Sequence, residues 1–504
     1  MQHVWKVLFE LDAFGARLQF FHMTLLARVN RDWNAMYCTA WPILWRGRRD
    51  EILRNPGWFG SWKRMCLDNL RKLLLNAVKG MHVKHVKVLT GKLYTKDRKL
   101  LFRRMQGKTV LHEAVRLQVA NHSPKKLEIV RVLLAAGGVD LVRQEERVYD
   151  RDDNALNWSG STVLHICAKG ECLATTKMLL ALSDEELLKH ESADEKTCLH
   201  VGVSSGCLPV LKAIINAGGY DLLKIQDDKG FSCLHYAISC GRLSVVEEII
   251  RVGGRRVVFQ QTNDGFTSLF VAAQMGHTAI VDLLLEVGGH ELLLVDSDES
   301  ISCLCAGVSN NHLEVVQSLV RVGGRPLVLI QKGNGSTCLH DAAFLGRSSI
   351  VAELLAVGGR ELAMLHFQSG TTAMHVAACE DHLKVLQLLF EVGGTELLMQ
   401  TDSLGRSCLY IAARKGHLHA VRFLEACGGQ ELLLLAHDNG STCLSVSALA
   451  GHQDIVEFLL LFGGARLVGA TRAWEERTKL CLVAQCERLG HSEVAAALAQ
   501  AMDA

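Results

Sequence analysis

Proline is scarce in this 504-residue chain, with 5 in all, and aromatic side chains make up only 6%. So few prolines leave helices uninterrupted, and the abundance of Leu, Ala and Val favours them. Long apolar runs are missing. Stretches such as Leu432–Ala436 and Phe458–Phe462 are far short of the roughly 20 residues that cross a bilayer. No basic start leads into an apolar core and a small-residue cleavage site, so export is not expected. None of the 17 cysteines forms a Cys-x-x-Cys pair, and without an export signal the thiols are expected to be reduced. No phosphate-cradling glycine loop, Gly-x-Ser-x-Gly, His-Glu-x-x-His or kinase signature occurs. No catalytic, cofactor-binding or metal-ligating residue is therefore expected, and the chain reads as no enzyme.

What is present is a folded composition, 49% hydrophobic and 21% charged. The net charge of +2 is unevenly spread. Residues 63–108 hold 14 Lys and Arg against 2 Asp and Glu, so a basic neck joins an acidic body. The neck includes Lys84, Lys87, Lys92, Lys96, Arg98, Lys99, Arg103 and Arg104. These charges suit a solvated face or an acidic partner.

A repeat decides the fold. Gly-Gly pairs begin at 218, 253, 288, 323, 358, 393, 428 and 463, always 35 residues apart. Thr or Ser recurs at 162, 197, 232, 267, 302, 337, 372, 407 and 442 in the same frame. Within one unit, Thr337 is placed to cap a first helix over Leu339–Leu345, and Gly346 to end it. Ile350, Val351, Leu354 and Leu355 then give the 3, 4 spacing of an amphipathic second helix, which Gly358-Gly359 should stop. Such short helix pairs are not stable alone, so neighbouring units must stack.

The unit Gly335-Ser-Thr-Cys-Leu-His-Asp-Ala-Ala-Phe-Leu-Gly-Arg resembles the ankyrin repeat, with its Thr-Pro-Leu-His-x-Ala start and the Gly-His before a second helix. Cys338 stands where that family has Pro, and the period is 35 against about 33 in the common form. The resemblance implies an all-α solenoid whose concave face binds a protein. Eleven units follow from 107: 107–139, 160–184, 195–219, 230–254, 265–289, 300–324, 335–359, 370–394, 405–429, 440–464 and 476–498, with a twelfth in the faint copy over Leu74–Leu89. Extra residues fall at 119–125 and 147–157, and Ser183-Asp184 replaces one Gly-Gly.

Six histidines hold the Leu-His position: His112, His165, His200, His235, His340 and His375. His277, His312, His382, His417 and His452 precede second helices. Residues spaced by a repeat form a row and do not converge as metal ligands must. Their replacement by Phe270, Cys305, Tyr410 and Ser445 in other units also points to rings that bond loop backbone. Cys198, Cys233, Cys303, Cys338, Cys408 and Cys443 share one register, which indicates small buried residues.

Residues 1–66 differ in composition and hold six of the eight tryptophans, Trp5, Trp33, Trp41, Trp45, Trp58 and Trp62. The string Leu25-Leu-Ala-Arg-Val-Asn-Arg-Asp-Trp33, followed by Leu44-Trp45 and Ser61-Trp62-Lys63, resembles the F-box, without its Leu-Pro opening. That resemblance implies docking on a Skp-type adaptor of a cullin-RING ubiquitin ligase. Val7, Leu8, Leu11, Leu25, Leu26 and Val29 would make contact, with Trp33 and Trp45 holding the helices. The alternative is a helical cap that shields the first repeat. The expected architecture is a helical module at 1–66, a neck at 67–106 and a solenoid at 107–504.

Positions that vary between units while the framework repeats are free of packing, and they are the groove candidates. On the first helices these are Ser239, Gln274, Met275, Phe344, Leu345, Glu380, Arg414 and Lys415; at the hairpin tips, Asp228, Asn263, Asp298, Asn334, Gln368 and Asp438. The expected partner is a protein substrate or client, at neither a membrane nor a nucleic acid. The expected setting is the cytoplasm, with access to the nucleus. A scaffold unrelated to ubiquitin is the other functional reading.

Overall fold

In the 35-residue unit, the first helix needs a capped start, and Thr337 supplies it. Its backbone is extended (φ −120°, ψ 169°), and the inner helix Cys338–Phe344 begins immediately after it. The computed structural model describes residues 74–96, 101–102, 104, 107–120, 123–146, 160–295, 302–478 and 481–503. The chain divides into two compact units, Met1–Ala77 and Val78–Ala504. The F-box-like string with its contact residues Val7 to Trp45, the insertion at 147–157, and Asp298 lie outside the described residues.

The second unit is all-α: among the described residues only isolated bridges occur, such as His366 to Thr372 and Thr401 to Ser407, each pinching a hairpin closed. Inner helices recur as Cys233–Ser239, Ser268–Met275, Cys303–Ser309, Cys338–Phe344, Ala373–Cys379, Cys408–Lys415 and Cys443–Leu449. Longer outer helices alternate with them, among them Thr278–Leu293, Leu313–Val328, Ser348–Met364, Leu383–Leu398 and Leu418–Leu433. Each inner helix packs on its own outer helix and on the inner helix of the next unit. Leu339, Ala342 and Ala343 face inward from the inner helix, against Ile350, Val351 and Leu354 of the outer one, and all six are 0% exposed. No helix among the described residues is long and apolar enough to cross a membrane.

The extra residues at 119–125 have a simple structural consequence. They lengthen the inner helix of that unit to Val110–Ala120, 11 residues against seven in Cys338–Phe344.

The Gly-Gly pairs interrupt the outer helix as the sequence suggested, outright where Leu243–Gly253 gives way to Arg255–Val258, but a further helical turn follows at once. The helix kinks at the second glycine and resumes for one turn, so Ser348–Met364 runs through Gly359 at φ 61°, ψ −153°. The two glycines are there for different reasons. Gly359 has open space around it and is needed for its left-handed backbone. Gly358 is needed for room, because a Cβ there would sit 2.6 Å from Leu362 Cβ. The resumed turn carries Leu362 and Ala363 into the core, as Leu397-Leu398 and Leu432-Leu433 do in the next units. Burying each leucine contributes about 1.5–3 kcal/mol. Where Ser183-Asp184 replaces the glycines, the chain breaks outright, and Asp184 Oδ1 caps the short helix Glu185–Leu188 by accepting from Leu187 N at 3.0 Å.

That resumed turn also accounts for cysteine in place of proline. Cys408 and Cys443 open inner helices, and their Sγ atoms lie 3.6 and 3.5 Å from the carbonyls of Leu398 and Leu433, ten residues back at the end of the turn. Ser268 makes the same contact to Val258 O at 2.8 Å. Proline has no side-chain donor for that carbonyl. Burial pushes the Cys198, Cys233, Cys408 and Cys443 thiols up to about 12, which keeps them neutral.

The two glycine roles separate by substitution. Gly359→Ala should cost about 1–2 kcal/mol through its left-handed backbone. Gly359→Asn should cost about as much, since φ 61° with ψ −153° lies outside the left-handed helical region that Asn tolerates. At Gly358 size decides instead, Ala costing about 1–3 kcal/mol by overpacking and the larger Asn more. Urea denaturation of the four variants checks this; a loss at 359 that grows with side-chain size as it does at 358 would refute the assignment.

Candidate functional site

Facing Leu339, Ala342 and Ala343 inward obliges Asp341, Phe344 and Leu345 of the same helix to face out, since 3.6 residues make a turn. Stacking at 35 residues then builds rows on the concave face. One row reads Asp341, Val376, Ile411; the next reads Ser309, Phe344, Cys379, Arg414; the third reads Leu345, Glu380, Lys415. These residues, with His340, Phe367, Thr371, His375 and Arg406, line a cleft of about 550 Å³ that spans four successive units. Small Ser309 and Cys379 sit on either side of Phe344 in their row, and the dip at Cys379 separates Phe344 from Arg414.

The charges are sorted along the cleft. Lys332 Nζ holds Asp341 at 2.6 Å, both half-buried. The Asp402 side chain is 1% exposed and accepts from Leu404 N at 3.0 Å, Arg406 N at 2.9 Å and Arg406 Nε at 2.7 Å. Burial pushes that carboxyl up, but the Arg406 guanidinium and the two amides outweigh it and hold it below the usual carboxylate range. Asp402 is therefore neutralised within its own hairpin, and Asp341 of the inner helix by the hairpin before it. Arg414 and Lys415 are exposed, and among the described residues neither has a carboxylate partner. Glu380 is exposed between them and Leu345 in the sequence of units. The cleft thus has an apolar end at Phe344, which is 55% exposed, and a basic end at Arg414 and Lys415.

Of the groove residues read from sequence, Phe344, Leu345, Glu380, Arg414 and Lys415 meet in this cleft. Gln274 and Met275 are exposed on an earlier inner helix, and Ser239 is half-buried with its hydroxyl on His235 O at 2.9 Å. The tip residues Asp228, Asn263, Asn334, Gln368 and Asp438 are exposed but bind neighbouring tips together. Asn263 Nδ2 donates to Asp228 O at 2.9 Å, Gln368 N to Asn334 O at 3.0 Å and Asp438 N to Leu404 O at 3.0 Å. Sequence reading missed Asp341, Phe367 and Arg406. The available signal was Asp341 itself, an acid in a register filled by Val271, Val376, Ile411 and Val446.

The histidines take the structural role expected of them. His340 Nδ1 accepts from Thr337 N at 3.2 Å and lies 3.0 Å from Thr337 Oγ1. The far ring edge reaches the next hairpin: Nε2 bonds Lys196 O from His165 at 3.0 Å and Arg406 O from His375 at 3.1 Å. The second set ties backwards. His382 Nε2 bonds Phe344 O at 3.0 Å, and its ring covers Gly346, where a Cβ would lie 2.6 Å away. Among the described residues no three His, Cys, Asp or Glu side chains are gathered as a metal set. In the neck, Lys87 Nζ pairs with Glu128 at 2.9 Å.

Burial lowers His112, His165, His200, His235, His340 and His375 to about 4 from 6.5. Between those values the unfolded chain takes up protons that the folded rings refuse, so stability is lost as pH falls from 6.5 towards 4. One ring's share is about 2 kcal/mol at pH 5. Urea midpoints at pH 7.5 and 5 should therefore drop less for His340→Gln than for the wild type. An identical drop would mean that the His340 ring is protonated in the fold.

The family model described as ankyrin repeats, in three copies, matches residues 199–296, 303–400 and 394–471, more than half of the chain. No curated protein matches it.

Proposed function

The chain belongs to the ankyrin repeat family, and we propose that it is a non-enzymatic protein-binding adaptor that holds its client in the concave cleft at Phe344–Lys415. Ankyrin repeats imply protein partners. The observation that carries the reading is the division of labour within the repeat. Capping Thr, ring His and core Leu recur unit after unit, while the row positions that line the cleft change from Phe344 to Cys379 to Arg414. Stability leaves those positions free for recognition. Burial raises the Cys379 thiol that lines the cleft, and the buried His340 and His375 rings there accept backbone amides at Nδ1, which disfavours a nucleophile or general base. Photo-crosslinking from benzoylphenylalanine at Phe344 should capture discrete proteins in cell extract, and the same group at the outer-face residue Glu457 should not. Equal labelling from both positions would remove the client-binding assignment.

The more specific reading is a substrate-recruiting subunit of a cullin-RING ubiquitin ligase. It rests on the F-box-like residues, whose helices would dock on a Skp-type adaptor while the solenoid raises the client's local concentration at the transferring enzyme. The competing reading, a scaffold unrelated to ubiquitin whose N-terminal residues cap the array, separates on one experiment. Full-length protein purified from its native lysate should bring the adaptor and cullin with it. Leu8→Asp with Leu26→Asp should abolish that while circular dichroism stays unchanged. Wild-type protein that retains no adaptor leaves the scaffold reading in place.

A further inference from the structure

We infer that the cleft takes an extended peptide with a bulky apolar side chain at one end, an acidic pair about five or six residues away, and no acid between. This rests on the client-binding reading above and adds the chemistry of the client. The length follows from the rows. Phe344 and Arg414 stand two units apart, and helices pack about 8–10 Å from their neighbours, so the two ends are roughly 16–20 Å apart. An extended chain covers that in about five or six residues at roughly 3.3 Å each.

The order of side chains follows from what lines each part. Phe344 and Leu345 offer an apolar wall, Phe344 being 55% exposed to water. An exposed phenylalanine beside a small-residue dip suits an inserted aliphatic or aromatic anchor. Arg414 and Lys415 present two adjacent positive charges without a carboxylate partner among the described residues. Carboxylates satisfy them, Arg414 with two parallel donors. The Asp341 and Asp402 charges cannot do so, since Lys332 and Arg406 already hold them. Glu380 stands one unit before Lys415, in the middle of the path. It repels an acid placed early and so fixes the acidic pair at the far end. That repulsion gives direction and register as well as affinity.

The test pans a random 12-residue peptide library on the full-length chain and on two variants, Arg414→Glu with Lys415→Glu, and Phe344→Ser. All the changed side chains are surface-exposed, and circular dichroism confirms that the variants fold. Peptides enriched on the wild type should carry the apolar anchor and the acids at the stated spacing. A representative peptide should bind the double variant at least tenfold more weakly, and bind the wild type more weakly at 500 mM than at 50 mM salt. Panning on the double variant should enrich Lys or Arg at the acidic positions, and Phe344→Ser should lose the anchor preference. Enrichment without an acidic bias overturns the inference, as does an unchanged peptide set on the double variant or no enrichment at all. Crosslinking from Phe344 reads client binding independently. Clients captured there by the wild type and by the double variant alike would sink the inference and leave the adaptor reading standing.

Discussion

Six of the units hang on a histidine ring held between the threonine or serine that starts its own helix and the hairpin that follows. The Thr337 amide donates to His340 Nδ1, which fixes the neutral tautomer with its proton on Nε2. That proton points at the next hairpin, and in His165 and His375 it closes a bond to a carbonyl 31 residues on. In His200, His235 and His340 the same edge faces the equivalent carbonyl without reaching hydrogen-bond length. One side chain thus caps a helix, supports a turn and sets the register of the neighbouring unit. Where it is replaced, part of the pattern survives: Tyr410 Oη still reaches Ser441 Oγ at 3.1 Å, in the next hairpin.

The two departures from the common ankyrin repeat are one adaptation. Resuming the outer helix after the kink lengthens the unit and brings a further helical carbonyl to the foot of the next inner helix. A helix end leaves its last carbonyls without partners. Cysteine or serine at the first inner-helix position approaches that carbonyl, as Cys443 does at Leu433 and Ser268 at Val258. The exposed pairs Arg255–Glu291, Arg325–Glu361 and Arg360–Glu396 join successive resumed turns across the surface. Solvent screening keeps each near 0–1 kcal/mol, so they guide register more than they stabilise.

Most of this fold was legible because the repeat multiplies every signal. A single Thr-x-x-His is weak evidence for a cap, but one frame kept from 162 to 442 is not. The Gly-Gly pair was read as a stop and no more, because glycine after an apolar stretch ordinarily means a C-terminal stop, and the helical turn that follows it went unread. The buried Leu362 and its counterparts were the missed clue, an apolar pair placed where a solvated loop was expected. The cleft was half legible. Variation among units found Phe344, Leu345, Glu380, Arg414 and Lys415, but not Arg406 or Phe367, which come from hairpins whose tips were read as free. Those tips are exposed and yet spent on bonds to one another, which only the stacked structure displays.

The position of the cleft follows from the same bookkeeping of side-chain size and charge. Every unit supplies the same three outward positions, so a smooth groove would form if their occupants were alike. Cys379 is small where Phe344 and Arg414 are large, and Val376 and Ile411 give the floor an apolar lining. The hairpins flanking it settle their own charges, Lys332 on Asp341 and Arg406 on Asp402, before any partner arrives. A ligand therefore has no existing ion pair to break at those sites, and the cost of desolvating charge falls mainly on Glu380, Arg414 and Lys415. On the proposed reading, walls neutralised in advance and a few unsatisfied charges at one end would discriminate by the placement of charge along the client. On that reading too, Phe344 would supply apolar contact, and Arg414 with Lys415 would decide which apolar segments are kept.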